Sequence, residues 1–508
     1  MTHRLSTVLE APELSPGRRR AVLAVVGIAL MMVVSAVSGL NVALPELARD
    51  TGANQTQLTW IVDAYTVVFA GLLLTAGALG DRYGRRGILV AGLLIFGSAA
   101  AWALTVDGPA TLIAVRAVMG VGAAAVMPTT LSVITTSFPE EERGRAIGVW
   151  VGITGAGAVL GLFASGVLLE FLDWSSFFGL NVALAALGLV GTLWVIPPSR
   201  TTHPTPLDVP GAVLSLLGVA ALVFAIIEGA DRGWTDGLTL IAAAVSVAAL
   251  AGFVVGQLHS AHPLLDVRLF ALRGFGAGSL SITVQFFAAF GFFYIVLQYL
   301  QFVVGRSPLQ AALTLLPLPV VLIPTARLAP QAATRWGTNR VGAAGLISLA
   351  AGLGTMGLLQ REFHPVVFYV GLALFGLGMG LAGTPATTAI TASLPSDKQG
   401  VASAVNDVSR EFGSAIGIAV LGGMLVRGYR DSVAPALAGL PGPIADGTRS
   451  SIAFLSSGAV DRLGPASGTL VDAARQAFVD GTSAALLTAA GTLLLAATFV
   501  YIRAPRVR

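Results

Sequence analysis

The chain has 508 residues, 55% of them hydrophobic and only 11% charged, with a mean hydropathy of +0.82. Soluble globular proteins carry roughly 25% charged residues, so most of this chain faces lipid and a water-soluble globule is excluded. The net charge of +4 is scattered over short loops, which excludes a nucleic-acid binder, and the lack of cysteine excludes disulfides, thiolate metal sites and Cys nucleophiles.

Taken in chain order, apolar runs of spanning length predict fourteen membrane helices, at 21–44, 57–79, 87–105, 111–135, 146–169, 175–196, 211–229, 237–258, 275–297, 309–331, 341–359, 365–390, 401–427 and 481–502. The basic group Arg18–Arg20 opens the first span without a cleavage site, the pattern of a signal anchor. Arg82, Arg85, Arg86, Arg143, Arg145, Arg200, Arg268, Arg273, Arg335, Arg340, Lys398 and Arg503 lie on the same side as Arg18–Arg20. The short loops opposite hold only Arg49, Arg232, Arg306 and Arg361. The positive-inside rule then puts both termini in the cytoplasm. The one long outer loop, about 428–480, reads as a solvated connector with a short amphipathic piece, LVDAARQAF (470–478). Only one of thirty basic residues, Lys398, is lysine, a bias of GC-rich bacterial genomes that points to a bacterial cytoplasmic membrane. The five histidines sit in tails or loops without metal-ligand spacing, so no metal or cofactor is expected.

The chain repeats itself. Gly157, Gly161 and Gly166 in the fifth run recur as Gly413, Gly417 and Gly422 in the thirteenth, an offset of 256. RYGRR (82–86) recurs as RWGTN (335–339), an offset of 253. Two six-helix halves are expected, at 1–200 and 261–508, with two inserted helices at 201–260. Parallel halves of this kind are a transporter architecture, with the substrate site between them near mid-membrane.

The turn GALGDRYGRR (77–86) places Gly77, Asp81, Arg82, Gly84, Arg85 and Arg86 at the spacing of a tight turn with an acid–base latch against helix ends. That spacing resembles motif A (GxLaDRxGRkxxl) of the major facilitator superfamily. LIAVRAVMGVGAA (112–124) resembles its motif B, with Met119 where Gln is usual. GAVLGLFASGVL (157–168) resembles its motif C, the antiporter signature, with Leu162 and Ser165 as departures. Together with NVALP (41–45), WIVDAY (60–65) and PLLDVRLF (263–270), these segments are most similar to the fourteen-helix drug/proton antiporters, the QacA/EmrB-like group. The resemblance implies a major facilitator fold, an all-α membrane protein working as a monomer. It also implies an acid in helix 1 where this chain has Ala36.

Charges inside the spans are functional candidates by default, because lipid makes them expensive. At 1.5 Å per residue Asp63 lies roughly 9 Å and Arg116 roughly 7–8 Å from one end of their helices, similar depths at which they can pair. A fixed packing ion pair is the other reading of Arg116. Glu411 lies roughly 15 Å deep, near mid-membrane, with Asp407 closer to the cytoplasm at a depth Arg327 can share. Arg410 can neutralise either acid, which leaves a structural reading open beside the transport one. QFFAAFGFFY (285–294) offers Phe290 and Tyr294 as cavity candidates, with Tyr65 from the second helix. Six aromatics in ten residues also cover every helical face, as packing or lipid contacts would.

The expected function is secondary export of hydrophobic or cationic small molecules, with protons, substrate and the bilayer as the only partners. The alternative is a dedicated metabolite exporter or facilitator with altered coupling, which Ala36, Leu162 and Ser165 favour. No nucleophile–base set and no phosphate-binding loop is present in the sequence, so neither an enzyme nor an ATP-driven pump is expected.

Overall fold

The computed structural model describes residues 14–198, 207–358, 363–394, 399–456, 463 and 466–504; for Asp81, Thr135, Ser403 and most of 140–159 the backbone alone is described. Regular structure in the described residues is entirely helical. In order it comprises α1 (Pro16–Ser38), α2 (Leu40–Thr51), α3 (Gln55–Tyr83), α4 (Arg85–Ala103), α5 (Pro109–Ser137), α6 (Glu140–Phe171) and α7 (Ser176–Val195). Then follow α8 (Val209–Arg232), α9 (Gly237–His259), α10 (Arg273–Gln298), α11 (Pro308–Thr314), α12 (Pro317–Trp336), α13 (Thr338–Gly357), α14 (Pro365–Ala392), α15 (Gln399–Val433), α16 (Gly442–Ser450) and α17 (Ala466–Arg503). Among the described residues twelve helices are long and apolar enough to cross a membrane. Of the fourteen expected, α6 contributes only 160–171 as a shorter apolar helix, and α13 starts on the polar Thr338–Arg340 and is rich in glycine. The basic loop positions Arg200, Arg361 and Lys398 lie outside the described residues.

Local chemistry sets the breaks. Gly84, between α3 and α4, has φ +106°, and Gly337, between α12 and α13, has φ +95°; side chains with a Cβ avoid that region. The two are 253 residues apart, and each N–H bonds back to an equivalent carbonyl, Gly80 and Ala333. Asn54 and Ser307 share the same spacing. Each caps the helix that follows through a reciprocal pair with Gln57 or Gln310. The repeat read from glycines therefore extends to turns and caps. Pro317 separates α11 from α12, so the tenth predicted span is two pieces.

The glycine triplets explain the closest packing. A Cβ on Gly161 would lie 2.7 Å from the Ser35 Cα, and one on Gly417 would strike the Phe287 carbonyl, so α6 lies on α1 as α15 lies on α10. The third glycine of each set reaches elsewhere: Gly166 meets Leu309 at the start of α11, and Gly422 meets Thr59 near the start of α3. At the opposite margin α8 pairs with α9 and also lies against both α3 and α15.

The described part of 428–480 is not a solvated connector. α15 runs on to Val433, α17 begins at Ala466, and Leu437, Ile444 and Ile452 join the main core. The Tyr429 hydroxyl donates to the Thr448 carbonyl at 2.7 Å. The amphipathic piece is the first part of α17, where Leu470, Ala474, Ala477 and Phe478 fall on one face and are buried. The stripe is legible in LVDAARQAF (470–478), but the Pro, Gly and Ser content before it masks the packing of the rest of the segment.

Candidate functional site

Gln55, Thr59 and Asp63 follow one another at four-residue intervals on α3 and share a face. At the Asn54 end of the bundle that face meets α10. Gln55 Nε2 donates to the Tyr294 hydroxyl (3.1 Å) and to Gln298 Oε1 (2.8 Å). Thr59 Oγ1 and the Tyr294 hydroxyl are 2.8 Å apart. Gln301 Nε2 donates to the Val42 carbonyl (3.0 Å), and Ser307 Oγ to Glu170 Oε2 (2.7 Å). These bonds join α2, α3 and α6 to the segment 294–307 and close that end.

One turn below the closure sits Asp63, fully buried. Its Oδ1 accepts from Thr66 Oγ1 at 2.9 Å, and its Oδ2 has no hydrogen-bond partner. Arg116, on α5, is also fully buried. Its Nε donates to the Ile61 carbonyl at 3.0 Å, and its guanidinium lies over the Tyr65 ring, 4.3 Å from the centroid. Both terminal nitrogens lack hydrogen-bond partners. The expected Asp63–Arg116 pair is therefore not made. Ile61 and Tyr65, which hold Arg116, each stand two residues from Asp63, about 200° away around a helix of 3.6 residues per turn. Similar depth put the two charges level, but helical phase puts them on different faces. Ala36 is fully buried in α1, one turn from Val33, whose carbonyl accepts from the Tyr65 hydroxyl at 3.1 Å.

On α15, Arg410 Nη1 stands 3.9 Å from Asp407 Oδ1, and its guanidinium lies over Phe286, 4.7 Å from the centroid. The Glu411 carbonyl accepts from Ser414 Oγ at 3.0 Å, while its carboxylate makes no ion pair or hydrogen bond among the described residues. Of the two acids, Arg410 thus takes Asp407, and only loosely. Arg327 lies exposed on α12 and forms no ion pair with Asp407 among the described residues.

The aromatic run of α10 divides. Phe287, Phe292 and Tyr294 are buried, Phe292 against Phe375 at 4.8 Å between centroids. Phe290 is half-buried and stacks on Phe286 at 5.8 Å. At the Gly84 turn, Gly77 and Gly80 approach Pro128 and Thr129 of α5. Arg82 is exposed beside the Tyr83 ring, and Arg86 Nη2 donates to the Leu193 carbonyl at the end of α7, the negative pole of that helix. Arg85 opens α4, and the Asp81 side chain lies outside the described residues. Gly157 lies against Val34 of α1, with Gly161 and Gly166 beyond it as described. The closure residues Gln55, Thr59, Gln298 and Gln301 escaped the sequence reading. The four-residue polar spacing that ends on Asp63 was the available signal.

The comparisons with known proteins agree with this architecture. The family model of the Major Facilitator Superfamily matches residues 26–418. The multidrug efflux pump LfrA of Mycolicibacterium smegmatis is 33% identical over 490 residues, covering 96% of each chain. The puromycin resistance protein pur8 of Streptomyces alboniger is 36% identical over 409 residues, 78% of this chain and 80% of its own. A solved bacterial homologue of the human lysosomal transporter Spinster, inward-facing and unoccupied, superposes with a TM-score of 0.67 at 16% identity, covering 97% of this chain and 100% of that one. With its many membrane-spanning helices and this match over most of its length, the chain belongs to the Major Facilitator Superfamily.

Proposed function

We propose that the protein is a secondary exporter that carries hydrophobic or cationic small molecules, drugs and antibiotics among them, out across a bacterial cytoplasmic membrane in exchange for protons. Asp63 carries the reading. A carboxylate is kept fully buried in an apolar span with one oxygen unpartnered and no cation paired to it, among the described residues. Such a group is costly to hold charged and is suited to taking a proton or a cationic substrate in turn. The membrane potential supplies about 2.3 kcal/mol per charge per 100 mV to such an exchange. The names of the relatives support export of drugs.

In this reading the chain crosses the membrane fourteen times as a monomer, with both termini in the cytoplasm. The halves 1–200 and 261–508 flank the path, and 201–260 is inserted between them. Asp63 and Glu411 carry protons or cations, and Arg410 holds Asp407. Arg116 and Tyr65 stiffen α3 from behind, and Phe290 and Tyr294 line the path. The Asn54 end is the outer one, and its closure is the shut gate. Transport of ethidium into inverted vesicles, with and without a proton gradient, tests this: Asp63→Asn should abolish gradient-driven uptake while the protein stays folded. Undiminished uptake by that variant would refute the role of Asp63.

A second reading is a dedicated exporter or facilitator with altered coupling. The unpaired guanidinium of Arg116, together with Ala36 where the resemblance implies an acid, favours it, since one charge of a proton relay is then missing. Alkalinisation inside right-side-in proteoliposomes on adding substrate would separate exchange from uncoupled passage.

A further inference from the structure

Helix α8, the first of the inserted pair, lies across the seam between α3 and α15. Val219, Val223 and Ile227 of α8 are buried in one apolar cluster with Val67 of α3 and Ala415 and Ala419 of α15. Backbones come close on both flanks. A Cβ on Gly71 of α3 would lie 3.3 Å from the Leu216 Cβ, and one on Gly423 of α15 would lie 2.9 Å from the Ala230 Cβ. Polar bonds then pin the Asn54 end of α8 to both neighbours. Trp60 Nε1 of α3 donates to Glu228 Oε1 at 3.0 Å, while Glu228 Oε2 accepts from Arg232 Nε at 2.6 Å. Arg430 of α15 pairs with Asp231. The remaining face of α8 is apolar and exposed at Val213 and Leu217, as a lipid-facing surface would be.

A helix that served only to carry the chain from one half to the other would need contact with neither partner at depth. This one is packed and pinned to both, over most of its length. Loss of water between such packed surfaces and the paired charges at their rim make the contact one that either holds or lets go, rather than stretching. We infer that α8 is a strap: it seals the α3–α15 flank of the path against lipid, and it has to release one of the two helices before the Asn54 end opens. The release step rests on the transport reading, since it needs α3 and α15 to separate during the cycle.

The chain has no cysteine, so introduced thiols are the only ones present. Two staples test the strap: Gly71→Cys with Leu216→Cys joins α8 to α3, and Ala230→Cys with Gly423→Cys joins it to α15. Both spans are within reach of a disulfide with small adjustments. Thr59→Cys, buried within the closure and carried in every protein compared, reports opening by its labelling with a polar maleimide after the staples are oxidised. Either staple alone should leave labelling and ethidium export near the unstapled level. Both together should cut each by about tenfold or more, because opening becomes the blocked step, and reduction should restore them. Equal labelling of the doubly stapled and unstapled proteins would overturn the strap. Labelling needs no substrate, so a protein that exports no ethidium in any form refutes the transport reading while labelling still decides the strap.

Discussion

The Tyr294 hydroxyl of α10 stands 2.8 Å from Thr59 Oγ1 of α3, one helical turn above the buried carboxylate of Asp63. A hydroxyl that ties two helices together thus sits one turn from a buried carboxylate with no paired cation among the described residues. Tyr294→Phe removes the bonds from Thr59 and Gln55 and keeps the ring. Each such bond contributes about 0.5–1.5 kcal/mol, so the closed end should open more often. Amide hydrogen exchange around Thr59 should quicken several-fold in that variant, and an unchanged rate would show that the ring alone holds the closure.

Asp63 holds a position better suited, for stability alone, to an apolar side chain. Replacing it with leucine removes a buried oxygen without a partner, and the relief of such a group is worth about 1–3 kcal/mol. Asp63→Leu should therefore unfold at higher temperature in detergent than the native protein and yet export nothing against a gradient. A less stable leucine variant would mean that the carboxylate is structurally satisfied.

The glycines of the two triplets are not interchangeable with other glycines in the bundle. Gly161→Ala places a methyl group 2.7 Å from the Ser35 Cα and should destabilise by about 1–3 kcal/mol through overpacking. Gly417→Ala should do the same against the Phe287 carbonyl. Gly354→Ala in α13, with nothing within 4 Å of the new methyl, should instead stabilise by about 1 kcal/mol from helix propensity. Thermal unfolding of the three variants gives the comparison.

At the Gly84 end, Asp208 caps α8 and accepts from the Gly211 amide (2.9 Å) and Gln257 Nε2. Burial alone would raise its pKa, but the bonds from Gln257, Gly211 and Leu264 outweigh burial and hold it below the usual carboxylate value. A depressed folded pKa stabilises above the unfolded value, about 3.9, and that gain is lost as pH falls through the folded value. Hydrogen exchange in 257–268 should quicken below about pH 4. Asp208→Asn should remove that step, and alkaline pH should leave the segment unchanged.

Much of the frame was legible because lipid enforces long apolar runs and because turns and caps carry their own residue types. Gly84 and Gly337, or Asn54 and Ser307, declare their geometry locally. What was not legible depends on rotation about a helix axis. Asp63 and Arg116 share a depth, which a residue count gives, but not a face, which needs the neighbours of α3 to be known. The packing of 434–456 was hidden for a similar reason: its apolar residues are sparse and bury against α2, α15 and α17, which are distant in sequence or separated by turns. The division of QFFAAFGFFY into buried and half-buried rings also follows from which helices surround α10, and no periodicity within the run encodes it.

The repeat that relates Asn54 to Ser307 and Gly84 to Gly337 carries Asp63 onto Leu316, the residue before Pro317. The two arms of the molecule share their joints but not their charge. On the proposed reading, a force that protonation of Asp63 applies at this level acts on α3, and the segment around α11 follows as the passive arm of the lever.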